Sequence, residues 1–231
     1  MRRSGQRSRQ ANRQIDLSRP ISRMPDQGLA PMAFSNTPSS GSDVVKGFRV
    51  TCTDLAADRV VTTRVSDLDA LILSHRPDWS KIRWIHVQGT LPETVLDALA
   101  TKYHLHALAV EDLSSGDQRP KVEDFPESAE APGRLFIVAR ELVMRDAILR
   151  SSQINLFLGR NTLLTFQDRF TDVLEPVYKR LEFENTRSRM TDASLLCHAL
   201  LDAVVNSYFP VLEHYSYWID EIEEGLLEEP S

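Results

Sequence analysis

The chain has 231 residues, of which 42% are hydrophobic and 26% are charged, and its formal net charge is −6. This balance is typical of a soluble globular protein. No apolar stretch reaches the roughly 18–20 residues of a membrane-spanning helix, and the first residues lack the apolar core of a secretory signal. The two cysteines, Cys52 and Cys197, lie far apart and outside any zinc-finger spacing. We therefore expect a reduced, cytosolic chain that does not itself cross a bilayer.

Residues 1–43 differ in composition from the rest of the chain and predict a disordered basic arm. They are rich in Ser, Arg, Gln, Pro and Gly and have no apolar periodicity. Seven arginines stand against one acid in residues 1–25, whereas the other 206 residues hold 20 basic and 32 acidic groups. Such an arm could contact the phosphates of nucleic acid or lipid. The acidity of the body argues against a nucleic-acid-binding domain, so we expect no nucleic-acid partner.

Residues 44–188 predict a domain of the α/β class, with a mixed β-sheet sandwiched between helices. Strands are indicated by β-branched runs, and helices by caps and by apolar residues spaced three or four apart. In chain order we expect strands near 48–52 and 59–65, a helix at 66–74 capped by Ser66 or Asp67, a strand at 82–87, helices beginning at Pro92 and near Leu108, strands at 134–140, 152–158 and 162–166, and a helix at 172–183.

Residues 189–231 predict a long helical segment. Apolar residues recur every three or four positions from Leu196 to Leu226, Thr191 can cap the start, and Pro210 is expected to kink the helix. The apolar stripe spans roughly 45 Å, which is too long to pack wholly against a domain of this size. We therefore expect a partner helix from another protomer or from sequence beyond Ser231, and we interpret the chain as truncated.

Three segments carry a resemblance to a known family when they are taken together. The first is Leu105–Leu113 followed by Asp117–Glu123, the second is Asn161–Asp168 followed by Asp172–Val177, and the third is Leu200–Glu213. In this order and at these separations they resemble the cytoplasmic domain of the CorA family of magnesium transporters. The resemblance covers roughly residues 44–230 and is specific, because it joins several unrelated local patterns.

The resemblance implies a homopentameric cation channel with a large cytoplasmic funnel. It also implies a stalk helix and two transmembrane helices with a Gly-Met-Asn signature, all beyond the end of this chain. Contact with the membrane is therefore expected only through those missing C-terminal helices. The full-length protein is expected in the cell inner membrane, with this segment in the cytoplasm.

The same resemblance implies two sets of regulatory metal ligands. Glu111 and Asp112 match an acidic pair that contributes to metal sites between subunits, and Asp202 matches a ligand of a second site. A carboxylate from the missing stalk helix is implied to complete the first site. Carboxylate oxygens suit Mg²⁺, and Co²⁺ or Zn²⁺ are further candidates. For all three residues, a solvated acidic helix face is the alternative interpretation.

The implied function is a Mg²⁺-sensing regulatory domain of a CorA-type Mg²⁺/Co²⁺ channel, gated by metal bound between protomers. One rival is the cytoplasmic domain of a ZntB-type zinc transporter, which has the same architecture. Another is a soluble α/β scaffold or nucleic-acid-associated protein that uses the basic arm. No Gly-x-Ser-x-Gly motif, phosphate-binding glycine loop or catalytic Cys/His motif is present, so we do not expect an enzyme.

Two further motifs receive structural interpretations. His104 and His106 are two residues apart without a nearby third ligand, and His106 matches a family position that is structural. The sequence Gln118-Arg119-Pro120-Lys121 predicts a turn into an edge strand. Residues 213–229 hold seven acidic side chains and no Lys or Arg, so this helix is expected either to be neutralised by cations or basic groups or to present a solvated face.

Overall fold

A computed structural model describes most of the chain after the basic arm. The predicted arm, residues 1–43, lies outside the described residues, so its disorder stays a prediction. The described residues are 47–116, 118–129, 131–145, 148–183, 185, 190 and 192–228.

Seven strands form one mixed sheet, in the spatial order β2-β1-β3-β7-β6-β5-β4. Neighbouring strands are antiparallel except for β3 and β7 at the centre, which run parallel. β4 is an edge strand, as the preceding turn motif predicted. The strands are β1 (Phe48–Leu55), β2 (Val60–Val65), β3 (Ile82–Gly89), β4 (Lys121–Phe125), β5 (Arg134–Arg145), β6 (Ile148–Leu158) and β7 (Thr162–Gln167).

Helices cover both faces of the sheet. Since successive strand residues point to opposite faces, Trp84 of β3 packs under α4 and α5, whereas the next residue, Ile85, packs under α1, α2 and α3. The predicted α/β fold with a sandwiched mixed sheet is therefore confirmed. The helices are α1 (Leu68–Leu73), α2 (Glu93–Tyr103), α3 (Ala107–Ser115), α4 (Glu175–Glu182), α5 (Ala193–Asn206) and α6 (Phe209–Glu228).

Side-chain caps fix where the helices begin. Asp67 caps α1 as predicted, since its Oδ1 accepts a hydrogen bond from the Ala70 N–H at 3.0 Å. The N-cap of α5 is Asp192, whose Oδ1 accepts from the Ser194 and Leu195 N–H groups at 2.9 and 3.0 Å. The expectation that Thr191 is the cap is thus wrong by one residue, because the neighbouring carboxylate accepts both bonds.

The predicted kink at Pro210 divides the C-terminal segment into α5 and α6. Pro210 is the second residue of α6 and has no N–H to continue the helical hydrogen bonds, so the chain turns at Ser207 and Tyr208. Both turn residues bond to the free edge of β5: the Tyr208 hydroxyl donates to the Arg140 carbonyl at 2.5 Å, and the Leu142 N–H donates to Ser207 Oγ at 3.4 Å. This edge is free because β4 pairs with β5 only as far as Val138.

The apolar stripe of α5 and α6 is buried only over its first half. Leu196, Leu200 and Val204 are at most 2% exposed, whereas Ile222 is 45% exposed. By length and composition alone, Ala193–Gly225 could cross a membrane, which corrects the expectation that no stretch reaches that length. A buried core helix has the same composition, and α5 packs in the core.

A buried ion pair joins β1 to β3. Arg83 donates from Nε and Nη2 to the two carboxylate oxygens of Asp54, both at 2.8 Å, and the side chains are only 7% and 12% exposed. The hydrogen bond to Asp54 raises the pKa of Arg83, so the guanidinium stays charged. Arg83 Nη1 also donates to Ser74 Oγ at 3.3 Å, which ties the end of α1 to the sheet.

Substituting Arg83→Met is expected to lower the free energy of unfolding by about 3–5 kcal/mol, because it leaves the Asp54 carboxylate buried without a counter-charge. The matched control is Arg180→Met, which removes an exposed pair with Asp202 at 3.4 Å and is expected to change stability by less than about 1 kcal/mol. Urea unfolding of both variants measures the difference. Equal losses would contradict the structural role of the buried pair.

Candidate functional site

Helix α3 carries the predicted pair Glu111 and Asp112 and is fixed at both ends. At its start, His106 Nδ1 accepts a hydrogen bond from the Leu108 N–H at 3.3 Å, and the ring stacks on Phe125 with centroids 4.3 Å apart. At its end, Gly116 takes a φ of 66°, which favours glycine. His106 therefore has a structural role, as expected.

Asp112 already has a counter-ion within the chain. Its Oδ2 lies 2.6 Å from Lys121 Nζ, and the same ammonium lies 2.8 Å from Glu123 Oε1. The hydrogen bond to Asp112, followed in size by the hydrogen bond to Glu123, raises the pKa of Lys121, so the ammonium group stays charged. The backbone carbonyl of Asp112 accepts from Gln153 Nε2 at 3.3 Å, so the end of α3 is also tied to the sheet.

Glu111 points to solvent next to this cluster. The residue is exposed, and its carboxylate makes no ion pair with any described residue. The two acids of the pair therefore differ: Asp112 is positioned and neutralised, whereas Glu111 is free to receive an external cation.

Asp202 lies on the other face of the sheet. Its helix α5 packs in the cluster that contains Trp84, whereas α3 packs in the cluster that contains Ile85. Asp202 is half-exposed and pairs with Arg180 of α4 at 3.4 Å. One chain thus brings Glu111 and Asp112 together but holds Asp202 apart from them.

Neither surface forms a complete metal site within one chain. Among the described residues, no group of three or more His, Cys, Asp or Glu side chains could hold a metal ion. Divalent cations bound by proteins take several oxygen ligands, some of them water. Within one chain, the described residues of either surface therefore do not supply a full set of protein ligands.

A buried polar network under α4 was not anticipated from the sequence. His86 Nε2 donates to Gln167 Oε1 at 2.5 Å, and Nδ1 accepts from the Tyr178 hydroxyl at 2.9 Å. The tautomer follows because an amide oxygen only accepts. His86 is 4% exposed, and burial lowers its pKa to about 4, so the ring is neutral at physiological pH.

The network ends on Glu141, a fully buried carboxyl. It accepts hydrogen bonds from Ser152 Oγ at 2.5 Å, Thr171 Oγ1 at 2.8 Å and Gln167 Nε2 at 3.3 Å. Burial raises the pKa of Glu141 in spite of these donors. The face of the sheet to which Glu141 points could have been predicted from the alternation of side chains along β5. Ile137 and Ala139, four and two residues earlier, lie on that same face.

The fold is similar to the solved structures of a CorA magnesium transporter and of a ZntB cytoplasmic domain. The complete structure of the CorA magnesium transporter from Methanocaldococcus jannaschii matches with a TM-score of 0.56 and 16% identity, over 79% of this chain and 52% of that chain. The ZntB cytoplasmic domain from Vibrio parahaemolyticus matches with a TM-score of 0.51 and 15% identity, over 79% of this chain and 65% of that chain. At such identities the likeness establishes the fold alone.

The sequence itself establishes the family. Residues 79–231 match the family model described as CorA-like Mg²⁺ transporter protein. A Thermotoga maritima protein named cobalt/magnesium transport protein CorA is 33% identical over 153 residues, which are 66% of this chain and 42% of that relative. The chain belongs to the CorA-like Mg²⁺ transporter family, so the predicted resemblance is confirmed. The family match begins at residue 79, later than the expected residue 44.

Lowering the pH from 6.5 to 4 is expected to destabilise the fold through His86. The folded ring protonates only near pH 4 and the unfolded ring near 6.5, so between these values the unfolded state binds more protons. The free energy of unfolding therefore decreases as the pH is lowered, by up to about 3 kcal/mol. The raised pKa of Glu141 acts in the opposite direction.

The control is therefore His86→Gln, which keeps an amide donor near the Nε2 position but does not titrate. Its unfolding free energy is expected to fall less steeply over this range than that of the wild type. Ring-nitrogen NMR at pH 5.5 should find His86 neutral and protonated on Nε2. Parallel pH profiles, or a charged ring at that pH, would refute the assignment.

Proposed function

We propose that this chain is the cytoplasmic, Mg²⁺-sensing part of a homopentameric divalent-cation channel of the cell inner membrane. Within it, residues 44–188 are the proposed α/β funnel domain and residues 189–231 the helical segment leading towards the pore. No catalytic role is proposed. Membership of a transporter family supports the proposal, as does the cobalt/magnesium transport name of a relative at 33% identity.

The placement of the acids on opposite faces of the sheet is the observation that carries the proposal. A ring with cyclic symmetry uses two different surfaces of each subunit at every boundary. Glu111 and Asp112 on one surface and Asp202 on the other are suited to such head-to-tail contacts. A neighbouring copy would then add the ligands that one chain lacks.

Charge repulsion supplies the gating mechanism. Carboxylates that meet across a boundary repel one another, and a divalent cation between them turns this repulsion into attraction. Bound Mg²⁺ therefore favours the closed ring. When cytoplasmic Mg²⁺ falls, the sites empty and the population shifts to open states.

The donor set favours Mg²⁺ or Co²⁺ over Zn²⁺ as the regulatory ion. Mg²⁺ keeps several waters and binds through one or two carboxylates, whereas Zn²⁺ sites are usually built from Cys and His. The three candidate ligands, Glu111, Asp112 and Asp202, are all carboxylates, and His106 Nδ1 is used as a helix cap. The ZntB-type alternative would need other ligands at these positions.

Substituting Asp112→Asn is expected to abolish the Mg²⁺ dependence of gating with little effect on folding. The change removes one ion bridge at each boundary, while surface substitutions of this kind alter stability by less than about 0.5 kcal/mol. The measurement is protease protection of the full-length protein in membranes, with and without Mg²⁺. Asp124→Asn, at an exposed position on β4, is the matched control.

Loss of the Mg²⁺ effect in Asp112→Asn together with its retention in Asp124→Asn supports the proposal. If Mg²⁺ protects Asp112→Asn as well as it protects the wild type, Asp112 is not a regulatory ligand. The acidic pair would then be a solvated helix face.

Substituting Lys121→Met is expected to strengthen Mg²⁺ binding to the chain by about fivefold. The ammonium at 2.6 Å from Asp112 occupies the position of a competing cation, and removing it frees two carboxylates at a gain of about 1 kcal/mol. Isothermal titration calorimetry measures the affinity. Lys81→Met, at an exposed position before β3, should leave it unchanged, and equal affinities in all three proteins would exclude competition by Lys121.

A further inference from the structure

A cleft of about 400 Å³ opens at the carboxyl end of β3 beside α2 and α3. β3 and β7 are parallel neighbours, and the chain leaves β3 for α2 on one face but leaves β7 for α4 on the other. In α/β sheets, ligands bind in the crevice where neighbouring connections diverge in this way. The volume lies within the range of small-molecule sites.

The lining of the cleft is apolar with an acidic contribution. Among the described residues, its carboxylates are Glu93 at the start of α2 and Asp168 just after β7, and no described Lys, Arg or His side chain lines it. This charge distribution disfavours anions such as phosphates and favours a cation. The apolar lining is Val87, Leu91, Leu96, Leu113 and Phe166.

Asn155 supplies an amide donor in the cleft. The residue lines the cleft and is only 4% exposed, and its Oδ1 accepts a hydrogen bond from Gln153 Nε2 at 2.8 Å. Its Nδ2 has no hydrogen-bond partner among the described residues. Since Nδ2 is not one of the fully buried polar atoms without a partner, it is accessible from the cleft, where an acceptor on a ligand can take the place of water.

Asp168 supplies an acceptor in the same cleft. Desolvation by the surrounding protein raises the pKa of its carboxyl, although Arg169 and Arg140 act in the opposite direction. Neither arginine lines the cleft. Asp168 itself is exposed, so its carboxyl group is accessible to a cation that enters the cleft.

We propose that this cleft binds a small organic amine with an apolar body. Its ammonium group pairs with Asp168, its body packs against Phe166 and Leu113, and an oxygen at its far end accepts a hydrogen bond from Asn155 Nδ2. Because Leu113 lies on α3, the bound amine touches the helix that carries Glu111 and Asp112. The proposed amine site does not depend on metal binding, so it can be tested separately from the proposed function.

Tyramine is the probe, because it combines an ammonium group, an apolar ring and a phenolic oxygen. Phenethylamine lacks the oxygen, and 4-ethylphenol lacks the amine. Amide NMR of the 231-residue chain is expected to show saturable tyramine-induced shifts around residues 89–91 and 113–116, with a dissociation constant of about 0.1–1 mM. Each analogue should bind at least about fivefold more weakly, because one polar contact is lost.

Two variants assign the contacts. Asn155→Leu should remove the difference between tyramine and phenethylamine, and Asp168→Asn should reduce the difference between tyramine and 4-ethylphenol. The control Asn161→Leu makes the same change in the turn before β7 and should leave all three affinities unaltered. If Asn155→Leu does not fold, Ser114→Trp, which fills the cleft from α3, should abolish binding.

The proposal is overturned if tyramine at up to about 10 mM gives no saturable shift, because this concentration is well above the expected dissociation constant. It is equally overturned if the shifts lie away from the cleft or if the three compounds bind alike. None of these measurements involves Mg²⁺, so their failure leaves the regulatory role of Asp112 unaffected.

Discussion

The parallel pairing of β3 with β7 is the constraint on which the rest of the structure depends. It joins two antiparallel groups, β1 to β3 and β4 to β7, into one sheet. Parallel strands cannot be joined by a tight turn, so the chain between them must cover a face of the sheet. Helices α2 and α3 lie on that face, and the chain after β7 then covers the other face with α4 and α5. The separation of Asp112 from Asp202 is therefore a consequence of strand order.

Local chemistry explains how much of the fold was predictable. Runs of β-branched residues indicate the strands, and Asp67 and Pro210 indicate a helix start and a helix break. The pairing of β3 with β7 was not predictable, because it joins residues about 80 positions apart. The same holds for the bonds of His86 to Gln167, since hydrogen bonds across strands depend on register, which composition does not encode.

The candidate site was predictable in its residues but not in its electrostatics. Glu111, Asp112 and Asp202 followed from the family resemblance, and their role as metal ligands stays a prediction. The ammonium of Lys121 between Asp112 and Glu123 was not anticipated, because it comes from the edge strand and not from α3 itself. The family resemblance identifies acids that could bind a cation, whereas only the packed structure identifies the cation already present.

The break at Pro210 beside the hydrogen bonds to β5 has a mechanical consequence. Tyr208 and Ser207 fasten the chain to one strand immediately before α6 begins. A displacement of α6 is therefore transmitted to two parts of the domain: to α5 through the backbone, and to β5 through these two hydrogen bonds. The junction thus couples the orientation of α6 to the sheet as well as to the helix that precedes it.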